Sequence, residues 1–203
     1  MKLLELFSGT QSVGKVAREL GYEVVCLDRD LEADIETDIM HWDYKVFPPG
    51  TFHVIWASPP CTEYSRAKTC GVRKIDEANL IVQRTFDIIE YFQPRFYIVE
   101  NPQTGLLKEQ AIMRGRIFKD IDYCKYGVPY RKRTRLWNNV THWEPRPLCL
   151  KDCGNTVGNR HLETAQRGPN KNDTGSRKHH KQEELYRVPP PLLFEIFEAM
   201  GTS

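Results

Sequence analysis

Short apolar runs recur along this chain, and most of them end in a few chemically unusual residues before helix-like or polar sequence resumes. Residues 3–7 (LLELF) lead into Ser8-Gly9-Thr10-Gln11-Ser12, and then Val13, Val16, Ala17 and Leu20 fall at helical spacing, closed by Gly21. Residues 22–27 (YEVVCL) form a buried-type strand ending at Asp28, and residues 52–57 (FHVIWA) another that runs straight into Ser58-Pro59-Pro60-Cys61. Ala78, Ile81, Val82, Thr85, Ile88, Ile89 and Phe92 mark one face of an amphipathic helix over 76–92, after which residues 96–99 (FYIV) end in Glu100-Asn101-Pro102. Leu106, Leu107, Ile112 and Ile117 predict a further helix, and residues 122–126 a further short strand. Strands alternating with helices predict an α/β domain: a parallel sheet with helices on both faces. In such sheets ligands sit outside the carboxyl ends of the strands, which is where the unusual residues fall.

The chain's 203 residues suit one compact domain with a small appendage. No apolar run reaches the roughly 18 residues that span a bilayer, and the N-terminus acquires charge too early for a signal peptide. An intracellular protein, in cytoplasm or nucleus, is expected, with its six cysteines (26, 61, 70, 124, 149 and 153) reduced. The net charge of +2 hides an asymmetry: residues 127–187 hold 13 Lys/Arg against 6 Asp/Glu, and four of the six histidines. A basic segment of this kind suits a polyanion, although a solvated charged face would have the same composition. Residues 138–184 lack strand or helix periodicity and exceed an ordinary loop; a small irregular recognition segment is expected there. Order returns over 185–200, where Val188 and three prolines precede a helix.

The turn at residues 8–14 would let backbone approach a ligand, with a helix N-terminus behind it. Asp28 could accept hydrogen bonds from ribose hydroxyls. Two prolines stiffen the loop that presents Cys61, and a thiol held in a fixed direction is a candidate nucleophile. Glu100 places a carboxyl on the same sheet edge, suited to proton transfer opposite the thiol. If 131–135 is extended, Arg131, Arg133 and Arg135 project to one face.

The ordered set Phe7-Ser8-Gly9, Asp28, Asp38-Ile39, Pro60-Cys61, Glu100-Asn101-Pro102, Arg133-Thr134-Arg135-Leu136-Trp137 and Val188 to Leu192 resembles the DNA (cytosine-5) methyltransferases, over nearly the whole chain except 138–184. The resemblance implies a Rossmann-like fold that binds S-adenosyl-L-methionine, divided into a core (1–137), a target-recognition segment (138–184) and a returning helix (185–203). Phe7 would pack on the adenine, and Ser8, Gly9, Thr10, Gln11, Ser12 and Val13 would hold the methionine part. Asp28 would bind the ribose and Asp38 the adenine amino group, with Arg29, Ile39, Pro59 and Val188 completing the pocket. Cys61 would attack carbon 6 of a cytosine flipped from double-stranded DNA. Glu100 would contact N3 and N4, and Arg133 and Arg135 would steady the base and a nearby phosphate. Ser65, Arg66, Arg131, Arg160 and Arg167 are the implied nucleic-acid contacts, and a monomer is expected. The group that removes the carbon 5 proton is left unassigned. An RNA substrate, or an inactive nucleic-acid-binding relative, would share much of this pattern.

The chain also departs from the family pattern. Gln11-Ser12 stands where the family carries two glycines, Pro102 where valine is commoner, and Arg131 where a glutamine usually precedes the arginines. The recognition region is short, which predicts a target of about two or three base pairs. Cys149-x3-Cys153 and His161 could bind zinc, with Cys124, His179 or His180 as a fourth ligand. The spacing is loose, and the reading assigns no metal.

Overall fold

The computed structural model describes residues 1–165 and 180–201. Arg167 and His179 lie outside the described residues. Seven strands form one sheet: β1 (Lys2–Leu6), β2 (Glu23–Asp28), β3 (Ile35–Glu36), β4 (Val54–Ala57), β5 (Phe96–Pro102), β6 (Phe118–Asp122) and β7 (Arg133–Asn138), in the spatial order β3-β2-β1-β4-β5-β7-β6. Strands β3, β2, β1, β4 and β5 are parallel neighbours.

The sheet is mixed, which corrects the expectation of a parallel one. β7 runs antiparallel to both β5 and β6, so it is the single reversed strand. Its local sequence could not reveal this, because strand direction depends on a partner far away in the chain.

Burial on both faces explains the continuous apolar runs of the inner strands. Leu3, Val54, Trp56 and Ile98 point to one side, into a core shared with α1 (Ser12–Glu19) and α4 (Pro190–Gly201). Leu4, Leu6, Ile55, Ala57 and Val99 point to the other, against α2 (Ile75–Phe92). Each such aliphatic side chain contributes roughly 1.5–3 kcal/mol on burial, so helices on both faces follow from the alternation. α2 buries Ala78, Val82, Thr85, Ile88, Ile89 and Phe92 of the stripe read from its spacing, leaves Ile81 half-buried, and buries Phe86 as well. α4 returns on the opposite face with Leu192, Leu193, Ile196, Phe197 and Met200 buried.

Gly14 interrupts α1 for a steric reason. A Cβ there would lie 2.7 Å from Glu5 Oε2 and 3.2 Å from Val24 Cγ1, so helix and sheet meet at this point only through a glycine.

Two further expectations change. The helix predicted from Leu106 to Ile117 is instead a pair of single 3-10 turns, Leu107–Glu109 and Ala111–Met113, because Gln110 between them is extended and Ile117 is exposed. The strand predicted over 122–126 lies earlier, as β6, and Tyr123–Tyr126 is a 3-10 turn ended by Gly127 at φ 87°. Within the stretch expected to be a recognition segment, a two-stranded hairpin forms from β8 (Thr156–Val157) and β9 (Arg160–His161), and a short helix α3 (Gln182–Tyr186) precedes α4. Among the described residues no helix is long and apolar enough to cross a membrane.

Candidate active site

The carboxyl ends of β1, β2, β4 and β5 converge on one edge of the sheet, and each ends in candidate site residues. At the end of β1 the backbone turns sharply: Phe7, Gly9 and Gln11 all have positive φ, at 60°, 52° and 53°. An aromatic residue in that region is uncommon and strained, so Phe7 is held there by its surroundings. The Ser8 N–H donates to the Leu27 carbonyl (3.0 Å) and the Gln11 N–H to the Ser8 carbonyl (2.7 Å). The Ser8 hydroxyl is buried and has no hydrogen-bond partner. A strained aromatic beside an orphaned hydroxyl is a cradle suited to a polar ligand with an aromatic end.

Asp28 locks this loop to the end of β2. Its Oδ2 accepts the Gly9 N–H at 2.8 Å, and its Oδ1 accepts the N–H groups of Asp30 and Leu31 at 2.9 and 3.1 Å. The residue expected to hold a ribose therefore also builds the loop, while carboxylate lone pairs remain for further donors. Arg29 makes a two-point contact with Asp30 and lies 3.6 Å from Asp38, whose Oδ1 caps the Met40 N–H. Ile39 is buried behind them. The closing segment arrives from the far end of the chain: the Val188 N–H donates to Ser12 Oγ at 3.1 Å, and buried Val188 packs in the core with Val13 and Val16. Thr10 contributes its carbonyl to Lys15 Nζ, and the Gln11 side chain bridges the Glu32 carbonyl and Arg18.

Below the loop lies Glu5, which the sequence reading did not single out. Its carboxylate is 3% exposed and accepts the Gly14 N–H at 2.8 Å. Burial pushes its pKa from 4.5 up to about 7, against the lowering pull of the Gly14 N–H, the Cys26 thiol and Arg18. Cys26, 3.6 Å away, is pushed up to about 12 by burial and by the Glu5 charge.

Strand register sets the loop that carries Cys61 beside the strand that carries Glu100. Ala57 of β4 stands beside Val99 of β5, so Glu100 follows directly and Cys61 lies at the end of the Ser-Pro-Pro extension. Asn101 closes the gap: its Nδ2 donates to the Pro59 carbonyl at 2.8 Å, tying the proline loop to the strand that carries Glu100. Asn101 is itself a residue of β5. Cys61 is part-exposed and outside any disulfide. Behind it the loop is fixed by Tyr64, fully buried, whose N–H bonds the Cys61 carbonyl (3.1 Å) and whose hydroxyl bonds Asn79 (2.9 Å). Arg73 adds a second brace by donating to the carbonyls of Glu63, Ser65 and Lys68. Ser65 Oγ accepts the Ala67 N–H, and Arg66 reaches the Thr104 carbonyl while its side chain stays exposed.

Glu100 has two neighbours on its buried side. Tyr123, fully buried, donates its hydroxyl to Glu100 Oε1 at 3.3 Å. Desolvation, reinforced by the Glu100 charge, raises the Tyr123 pKa well above its usual value, so the hydroxyl stays a donor. Lys132 Nζ lies 3.6 Å from the same oxygen and 4.8 Å from the Tyr123 ring centre, and it donates to the Leu185 carbonyl.

Arg133 and Arg135 are not brought to Glu100. In register, Glu100 stands opposite Leu136, whereas Arg135 stands opposite Asn101, on the other face of the pleat. Both arginines bind carboxylates of the adjacent edge strand in two-point contacts, Arg133 with Asp122 (3.0 and 2.7 Å) and Arg135 with Asp120 (2.7 and 2.8 Å). Glu5, Tyr64, Arg73, Tyr123 and Lys132 surround the candidate site and are not singled out by the sequence analysis. Only the Arg131-to-Arg135 charge run hinted at one of them.

Arg131 and Arg160 are exposed, and Arg160 lies in β9 next to His161. There Cys124, Cys149, Cys153 and His161 bring their ligand atoms within 4.8 Å of one another. His180 is engaged elsewhere, with Nε2 2.6 Å from Glu163 and Nδ1 3.1 Å from Glu184.

No family model matches the chain. It is 34% identical over 220 residues to a Frog virus 3 protein named "Probable DNA (cytosine-5)-methyltransferase", covering 98% of this chain and 99% of the viral one. It is 26% identical to the type II methyltransferase M.AgeI of Thalassovita gelatinovora, over 66% of this chain and 38% of that protein. Among solved structures, a DNA modification methyltransferase from an E. coli prophage superposes with a TM-score of 0.55 at 16% identity, covering 73% of this chain and 52% of the other. The S. pombe Dnmt2 methyltransferase gives 0.51, also at 16% identity, over 67% of this chain and 49% of the other. The chain thus spans about half the length of these two neighbours, whose likeness is one of fold.

Proposed function

Because the chain belongs to the DNA (cytosine-5)-methyltransferase family, we propose that it methylates carbon 5 of cytosine in double-stranded DNA through a covalent adduct at Cys61. The observation that carries this reading is the convergence of Phe7 to Ser12, Asp28, the proline-held Cys61 and Glu100 on a single sheet edge. The strained Phe7 and the orphaned Ser8 hydroxyl fit S-adenosyl-L-methionine, with Asp28 toward its ribose, Asp38 toward its base and Val188 closing behind Ser12. When bound, that cofactor supplies an electrophilic methyl group.

The protein's own part is to make a poor nucleophile react. Carbon 5 of cytosine gains electron density only when a nucleophile adds at carbon 6. Cys61 is the nucleophile, its direction set by Pro59 and Pro60 and its loop by Tyr64 and Arg73. Glu100 holds the pyrimidine edge and manages the proton near N3. Tyr123 and Lys132 position the Glu100 carboxylate from the buried side. Arg133 and Arg135, tied to Asp122 and Asp120, brace the strand beneath Glu100 and keep their outer donors for the substrate backbone. Ser65, Arg66, Arg131 and Arg160 supply further contacts to DNA, and residues 138–184 read a short target.

The test is methyl transfer from labelled S-adenosyl-L-methionine to unmodified DNA, followed by nucleoside analysis. The parent protein yields 5-methylcytosine, and Cys61→Ser yields none while unfolding at the parent's temperature. A duplex containing 5-fluorocytosine traps the parent covalently, because fluorine blocks the last elimination. Methylation of the exocyclic nitrogen, or full activity in Cys61→Ser, overturns the proposal.

A further inference from the structure

The recognition segment presents a physical problem. Across residues 144–165 the sole buried side chain is that of Cys149, and Leu150, Val157 and Leu162 are exposed. The only regular structure within residues 144–165 is the β8-β9 pairing of two residues per strand. A two-stranded hairpin with no apolar face is marginal in water, and segments this small usually need a metal or disulfides in place of a core. Something other than apolar burial has to hold it.

The single buried point is also where thiols converge. Cys149 and Cys153 come from the turn before the hairpin and His161 from β9, while Cys124 belongs to the Tyr123–Tyr126 turn on the catalytic sheet. His161 Nε2 lies 3.5 Å from Cys149 Sγ and 3.4 Å from Cys153 Sγ, and all four ligand atoms fall within 4.8 Å. Zn–S bonds of about 2.3 Å and Zn–N bonds of about 2.0 Å at the tetrahedral angle separate sulfur from nitrogen by about 3.5 Å. The observed spacings match that edge of a tetrahedron.

The surrounding backbone is arranged for thiolates. The Lys151 N–H donates to Cys149 Sγ at 3.3 Å, from a residue held at φ 74°. Lys125 sits beside the cluster, paired with Asp152 at 2.9 Å. The Cys149 N–H is fixed in turn by Asp122, at 3.0 Å, the carboxylate that also binds Arg133. Backbone donors to ligating sulfur and an anchored ligand backbone are the outer shell such sites require. All three sulfurs are reduced, and an odd number of thiols beside one imidazole suits a closed four-ligand centre better than disulfide pairing.

We propose that Cys124, Cys149, Cys153 and His161 form a structural zinc site that replaces a hydrophobic core in the recognition segment and staples it to the catalytic sheet. Three protein thiolates and one imidazole leave no open coordination position, so the ion holds structure and does not activate water. The sequence reading assigned no metal because Cys149-x3-Cys153 is loosely spaced; the fourth ligand arrives from another element, through the fold.

The experiment measures metal in full-length protein purified under reducing conditions without chelator. About one zinc per chain is expected, as for a single four-ligand site. Cys149→Ser and Cys153→Ser each lose it, Cys153→His retains it because imidazole can replace thiolate, and Cys70→Ser is unchanged. Should the serine variants fail to fold, the parent answers instead. Stripped of metal and given cobalt(II), it develops the visible absorption of a tetrahedral thiolate centre, and chelation exposes residues 144–165 to protease. Zinc absent from the purified parent together with no cobalt spectrum overturns the assignment, as does a Cys149–Cys153 disulfide in protein kept reduced. Neither result touches the methyltransferase reading, which rests on Cys61.

Discussion

Replacing Glu5 by glutamine isolates the electrostatic cost of the carboxylate beneath the glycine turn. Glu5 is nearly fully buried, and desolvation lifts its pKa from 4.5 to about 7. Below pH 4.5 the group is protonated in both folded and unfolded chains and contributes no pH dependence. Between 4.5 and 7 the unfolded chain releases the proton while the folded chain keeps it. The folded state then binds more protons, and stability falls as pH rises. At about 1.4 kcal/mol per unit over roughly 2.5 units, the full loss is of order 3 kcal/mol. Glutamine stays neutral throughout, and its carbonyl can take over the Gly14 N–H. Glu5→Gln is therefore expected to match the parent near pH 4.5 and to exceed it by about 3 kcal/mol at pH 8, a gain of roughly 6–12 °C in Tm for a chain this size. Urea unfolding of both proteins from pH 4.5 to 8 measures the difference, since the other titrating groups are common to both. Parallel pH profiles, or a glutamine variant less stable at pH 8, refute the reasoning.

Gly14→Ala places a Cβ 2.7 Å from Glu5 Oε2 and should cost about 1–3 kcal/mol, read as a lower urea midpoint; parent-like stability would mean that α1 can shift freely. Lys132→Met leaves Glu100 with Tyr123 alone, and kcat should fall about tenfold at constant cofactor KM, with Lys132→Arg largely restoring it. An unchanged kcat would remove Lys132 from the site. Asp122→Asn strips Arg133 of its two-point partner and should lower stability by about 1.5–3 kcal/mol by thermal melting, with an unaltered melting temperature excluding the contact.

The strand-helix rhythm was legible because β1 and β4 are buried on both faces and are apolar except at Lys2 and Glu5 of β1. Cys61 and Glu100 stand out as candidates because Cys61 follows β4 and Glu100 follows the apolar run 96–99 near the end of β5, where an open α/β sheet puts its ligands. Properties set by distant partners were hidden. The reversal of β7 depends on β5 and β6, and its register, with Leu136 opposite Glu100, puts Arg133 and Arg135 on the other face. A register shift of one residue exchanges faces, and the run of alternating cations reads equally well in either register. The helix predicted from Leu106 to Ile117 failed at Gln110, whose side-chain amide bonds Asn79 and the Leu106 carbonyl and holds an extended backbone there. The sequence left Cys124, His179 and His180 as alternatives beside Cys149, Cys153 and His161, and it is the Tyr123–Tyr126 turn that sets Cys124 among them.

The place of β7 between β5 and β6 also constrains how the domain can be assembled. As the chain emerges from the ribosome, β5 presents an unpaired edge and β6 has nowhere to dock until residues 133–138 follow. The later strand is the wedge that completes the sheet. Cutting the gene just before it would leave two exposed edges, each a template for pairing with another chain. A split or permuted version of the protein therefore has to keep β6 and β7 on one fragment.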